Sequence, residues 1–187
     1  MPFSLLILPP SIEWVQDTTA ATTKWGDIGD WDVSGVADFS WAFSINRDTT
    51  GGSFKAEGNL KAATFVGTAM SKWITTSATS LHSAFFEAGK MNSDLSGWNV
   101  ANVVTLERTF LRAGKFAGTG LASWNIAKVT VMGGTFSSPT SITPCSKRQI
   151  ADAWKSNSAF ATWGNAWAAD ACPPLTDASF KQASWGT

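Results

Sequence analysis

The chain has no tyrosine, one histidine and two cysteines in 187 residues, and charged residues make up only 15% of it. Each shortage excludes something. Cys145 and Cys172 are too few for a disulfide scaffold and lack the spacing of a metal site. They read as one bridge closing the last quarter of the chain, which would contribute about 3–4 kcal/mol if unstrained. The alternative is two buried thiols. Lys+Arg equals Asp+Glu at 14 each, with no basic run anywhere. Such a neutral surface does not neutralise phosphates, which argues against nucleic acid as a partner. It also offers no electrostatic membrane anchor. No apolar run is long enough to span a bilayer, so no transmembrane segment is expected. The short apolar run within Met1–Pro10 has no basic residue ahead of it, so it reads as a loose or docked terminal segment.

The scarcity of histidine bears on catalysis. His82 stands alone, and no motif around it supplies a nucleophile and an orienting group. Phosphate loops, nucleophile elbows and zinc spacings are also missing, and Gly51-Gly52 and Gly133-Gly134 are isolated pairs. Asp27, Asp30, Asp32 and Asp38 cluster early but lack an EF-hand spacing, so they are assigned to turns rather than to calcium. The expectation is a protein that is not an enzyme and takes no cofactor or metal.

What the chain does have is 11 Trp and 12 Phe. Aligned on tryptophan, four units emerge, starting at Trp31, Trp73, Trp98 and Trp124. Phe43, Phe85, Phe110 and Phe136 each follow twelve residues later. Eight residues after Trp comes a large apolar residue: Phe39, Leu81, Leu106, Met132. Two after sit Val33, Thr75, Val100 and Ile126, and five after sit Val36, Ala78, Val103 and Val129. Eleven after is always small: Ala42, Ala84, Thr109, Thr135. The Trp spacing is 25 and 26 in the later units but 42 between the first two, so about 17 residues are inserted near Gly51–Met70.

A unit this short cannot bury its apolar residues alone, so neighbours must stack, Trp on Trp and Phe on Phe. The expected fold is a leucine-rich-repeat-like solenoid: one short parallel strand and one short helical or 3₁₀ turn per coil. The stretch Val100–Leu106 suits the strand and Leu106–Ala113 the turn. Helical caps should close both ends, because open ends expose the ladders. Residues 1–24 hold the N-terminal segment and cap, with Ser11 as helix N-cap after Pro9-Pro10. The solenoid spans 25–140, with the insertion at about 51–70. Residues 141–187 form a Cys-bounded helical cap, where Ser146-Lys147-Arg148-Gln149 fits a capping box. Pro173-Pro174 and the closing Trp185-Gly186 echo Pro9-Pro10 and Trp25-Gly26, which suggests one unit of a longer tandem protein. An intact native mass near 19.9 kDa would exclude that.

Trp31-Asp32-Val33-Ser34-Gly35-Val36-Ala37-Asp38-Phe39 resembles the Trp-Asp-Val-Ser-Asn-Val-Thr-Asp-Met repeat of BspA-type leucine-rich-repeat surface proteins of bacteria, mycoplasmas, protists and algae. Asp94-Leu95-Ser96-Gly97-Trp98-Asn99-Val100 is similar, as is the lead-in Trp25-Gly26-Asp27-Ile28-Gly29-Asp30. The resemblance covers roughly 25–136. It implies a solenoid, surface display, adhesion and protein binding, with no catalytic residues. The degenerate second unit, Trp73-Ile74-Thr75-Thr76, departs from it.

The leading expectation is thus a non-catalytic interaction, structural or adhesive module of a surface or extracellular assembly, with protein partners. One alternative is a peripheral subunit of a large organelle-associated complex, such as an algal membrane assembly. The absence of an Asn-x-Ser/Thr sequon agrees with that alternative. Another is a carbohydrate-binding module. Contacts are expected in columns that fail to repeat, at Trp41, His82, Glu107 and Arg108, while the repeating tryptophans belong to the core.

Overall fold

The computed structural model of the chain describes residues 8–50, 54–138 and 141–172. Within them the repeated tryptophans stack. Ring centroids lie 6.2 Å apart between Trp31 and Trp73 and 5.8 Å between Trp73 and Trp98. A buried indole N–H needs an acceptor, and those of the second, third and fourth units find one in the preceding unit. Trp73 donates to the Ile28 carbonyl, Trp98 to Met70 and Trp124 to Leu95, at 2.7, 2.8 and 3.0 Å. Phe43, Phe85, Phe110 and Phe136 form a second row, spaced 5.6, 5.8 and 5.9 Å with nearly parallel rings. The columns two, five, eight and eleven residues after Trp are all buried between the rows.

The expected strand does not form. From the eighth residue after Trp in the first three units, successive amides alternate between two kinds of partner. In the third unit the amides of Leu106, Arg108, Phe110 and Arg112 donate to carbonyls of Val131, Gly133, Thr135 and Ser137 in the next unit. The intervening amides of Thr109, Leu111 and Ala113 turn back to Leu106, Arg108 and Phe110. The second unit repeats the pattern. Left-handed residues make these turns: Ser83 and Glu87 have φ of 52° and 55°, Arg108 and Arg112 of 53° and 58°. A strand needs φ near −120° throughout, so a positive φ every fourth residue replaces it with a ribbon of turns. Only isolated parallel bridges remain, Asp38 with Ser80, Ser80 with Thr105 and Thr105 with Val131. The leucine-rich-repeat-like solenoid with a strand in every coil is therefore corrected. The regular elements among the described residues are helices, and the stack is built of turns. The helical turn is also displaced: 3₁₀ turns Met70–Lys72 and Leu121–Ser123 precede their tryptophans rather than following Leu106.

Helices cover both ends. At the start, α1 (Leu8–Gln16) and α2 (Thr18–Trp25) pack together. Glu13 on α1 accepts from Lys24 Nζ at 2.8 Å and Trp25 Nε1 at 2.6 Å, and these bonds hold its carboxyl below the ordinary range. Trp14 meets Trp31 edge-on at 5.6 Å, ending the indole row. Ser11 is not the N-cap. The described part of the helix already includes Leu8, Pro9 and Pro10 ahead of it. Ser11 lies inside it, buried.

At the other end stand α3 (Pro144–Trp154) and α4 (Ala161–Trp167). The expected capping box is displaced here too: Thr143 is the N-cap, accepting from the Ser146 amide at 3.1 Å, with Pro144 in the first turn. Trp154 stacks on Trp124 at 6.4 Å, and Trp167 lies 4.8 Å from Phe136. Cys145 and Cys172 are joined in a disulfide. The proline pair at 173–174 and the closing Trp185-Gly186 lie outside the described residues.

The long gap between the first two units folds back on the first. Arg47 pairs with Phe54 in an antiparallel bridge, a 3₁₀ helix spans Leu60–Thr64, and Phe65 stacks on Phe43 at 4.4 Å. Phe116 stacks on Phe110 in the same way at 4.1 Å, so the chain has rejoined the repeat by Phe65.

Candidate functional site

The positions that fail to repeat lie on the ribbon of turns, beside the buried rows. The ribbon alternates inward and outward residues. Phe39, Ala42 and Phe43 point in, which leaves Ser40 and Trp41 half-buried on its outer side. Trp41 takes the left-handed turn position of its unit, with φ 63°, where the other units place Ser83, Arg108 and Gly134. Its ring is not free in solvent. Phe54, from the inserted segment, lies 5.0 Å away, His82 meets it edge-on at 5.0 Å, and Phe86 lies at 6.3 Å. Phe54 itself is 55% exposed.

The strip continues into charge. His82 Nδ1 lies 3.5 Å from Glu107 Oε2, and Glu107 Oε1 lies 3.8 Å from Arg108 Nε. The four sequence-level candidates, Trp41, His82, Glu107 and Arg108, thus form one line across three units. Sequence reasoning missed two members. Phe54 sat in a segment with no counterpart in the other units. Phe86 directly follows the ladder residue Phe85, and its own column had not been aligned.

Beneath the strip lies Arg47, only 2% exposed. Its Nη1 reaches the Ser40 carbonyl at 3.5 Å, next to Trp41. Burial pushes the guanidinium below its ordinary range, and the charges of Asp48 and Asp38 offset part of that. Arginine brings only donors, one of which meets this carbonyl.

The early aspartates close turns. Asp27, Asp32 and Asp38 each accept from the amide two residues on, of Gly29, Ser34 and Ser40, at 2.8–3.0 Å. The two hydrogen bonds from Ser34 hold Asp32 below the ordinary carboxylate range. Asp30 pairs instead with Lys72 at 3.6 Å. Among the described residues no three His, Cys, Asp or Glu side chains converge as a metal site would require. No described helix is long and apolar enough to cross a membrane. Clefts of about 250 Å³ beside Trp14 and about 210 Å³ between Trp124 and Trp154 lie at the two ends, away from the strip. The strip offers stacking rings, a carboxylate and a guanidinium.

No curated protein and no solved structure matches the chain. One family model does, over residues 54–165, described as Mycoplasma protein of unknown function, DUF285. That match begins at the Phe54 of the strip, spans the second to fourth tryptophan units and ends within α4, and on it the chain belongs to the DUF285 family.

Proposed function

We propose that this chain is a non-catalytic recognition module of a surface or extracellular assembly, and that it holds a protein partner through the strip around Trp41. The observation carrying this is the placement of Trp41. A large ring stands at a left-handed turn where other units carry Ser, Arg or Gly, and it gathers Phe54, His82 and Phe86 about it. Interfaces draw most of their energy from a few such aromatic and arginine anchors, ringed by weaker contacts. Glu107 and Arg108 supply that charged margin. The family match and the resemblance to BspA-type repeats support surface display.

The test uses Trp41→Ser, since Ser83 holds the same turn with φ 52° and the substitution keeps a residue that the backbone accepts. The full chain is immobilised and exposed to extract of its native source at low stringency. A partner retained by the wild type should be bound at least about 30-fold more weakly by the variant, the loss typical of an anchor. Equal retention by both sinks the reading. A second reading, carbohydrate binding, is favoured by the exposure of Phe54 beside Trp41, since sugars stack on such rings. A glycan array probed with both forms separates the two.

A further inference from the structure

The turn ribbon has a direction, and its last member is incomplete. In each inner unit the sixth residue after Trp offers its carbonyl to the next unit: Ala37 to Thr79, Thr79 to Val104, Val104 to Thr130. The eighth, tenth and twelfth then give their amides to it, as Leu106, Arg108 and Phe110 do. The corresponding groups of the fourth unit are the Thr130 carbonyl and the amides of Met132, Gly134 and Phe136. Among the described residues none of these four has a hydrogen-bond partner. The C-terminal cap does not supply one. It finishes the aromatic rows through Trp154 and Trp167, and Asn157 Nδ2 satisfies the carbonyls of Ile126 and Val129 at 2.8 and 2.9 Å.

A second observation points the same way. Where the third unit carries Glu107 and Arg108, the fourth carries Gly133 and Gly134. A Cβ on Gly133 would meet nothing closer than Glu107 Cγ at 3.9 Å, so the backbone stands open there. Glycine is the residue that lets another backbone approach closely. Val131, 43% exposed, lies on this edge.

We infer that this edge binds a segment of another protein that takes the same ribbon of turns, running parallel to residues 130–136. The segment would donate one amide to the Thr130 carbonyl and offer three carbonyls, at alternate residues, to Met132, Gly134 and Phe136. Its apolar side chains would rest on Val131. Backbone pairing supplies the affinity in such additions, and alternate side chains the selectivity. The direction follows from continuity with the three junctions already present in the molecule. A second copy of the chain fits less well as occupant, because the middle carbonyl of the edge it would present, that of Ser40, already accepts from its own Arg47. This site lies one unit beyond Glu107 and Arg108, at the far end of the strip from Trp41.

The experiment is amide hydrogen exchange on the full chain, with and without a synthetic peptide of this protein's residues 103–112. In the fold, that segment makes this pairing with the second unit. Alone, the chain should show fast exchange at Met132, Gly134 and Phe136 and slow exchange at Leu106, Arg108 and Phe110. Peptide should slow the first three at least tenfold and saturably, and N-methylation at the peptide's Val104 should abolish the effect. Three results would overturn the inference: protection of the three amides in the free chain, no slowing at saturating peptide, or protection that rises with protein concentration alone, which would assign the edge to self-association.

Discussion

At the scale of single residues, the indole row carries two kinds of energy. Trp98 is buried against its neighbours and also gives its N–H to Met70. Trp98→Ala should lower stability by about 3–5 kcal/mol through loss of packing. Trp98→Phe keeps a ring but loses the hydrogen bond, and should cost about 1–2 kcal/mol. Urea unfolding of both variants checks the order. The left-handed sites obey a different rule. Arg108 is exposed and its φ is 53°. Arg108→Ser should change stability by no more than about 0.5 kcal/mol. Arg108→Val puts a β-branched residue at positive φ and should cost about 1–3 kcal/mol. Equal melting of the two would refute the backbone argument.

At the scale of elements, the two helical ends are held by different chemistry. The α1–α2 pair depends on Glu13, whose carboxyl is held below its ordinary value of 4.5 by Lys24 and Trp25. A depressed carboxylate contributes stability that is present above its ordinary value and is lost as pH falls through its folded value. Lowering the pH below about 4.5 should therefore loosen this pair progressively. Glu13→Gln should remove that dependence, read by amide exchange in α2 across pH. The α3–α4 end has a covalent tie between cysteines 27 residues apart. By loop entropy, reducing it should cost about 3–4 kcal/mol, seen as a lower melting temperature in reductant and not in a Cys172→Ser variant.

These elements also show what the sequence could and could not say. The six buried columns were legible because stacking forces the same residue type inward at the same place in each unit. The strand was not. Val100–Leu106 has strand composition, but the backbone is decided further on, at Ser83, Glu87, Arg108 and Arg112, polar residues that hold positive φ without advertising it. A weak signal was there: none of these four is β-branched. The four contact candidates were legible as departures from the repeat. Phe54 was not, since an inserted segment has no counterpart to depart from. The start of α3 was displaced by a proline accepted in its first turn.

At the scale of the molecule, the indole row continues past the four repeats, from Trp14 edge-on against Trp31 to Trp154 stacked on Trp124. Caps and stack therefore share one core. Tryptophan fluorescence and far-ultraviolet circular dichroism should report a single coincident unfolding transition in urea, as two-state behaviour requires. Separate midpoints would show that the caps melt alone.

The alternating amides have a consequence for how such a protein changes over time. Cohesion lies in the main chain and the inward columns, so the outward side chains are spared that duty. Lineages can rewrite what the outer surface displays while the scaffold underneath keeps its shape. A receptor or adhesin facing a shifting target would profit from that separation of tasks.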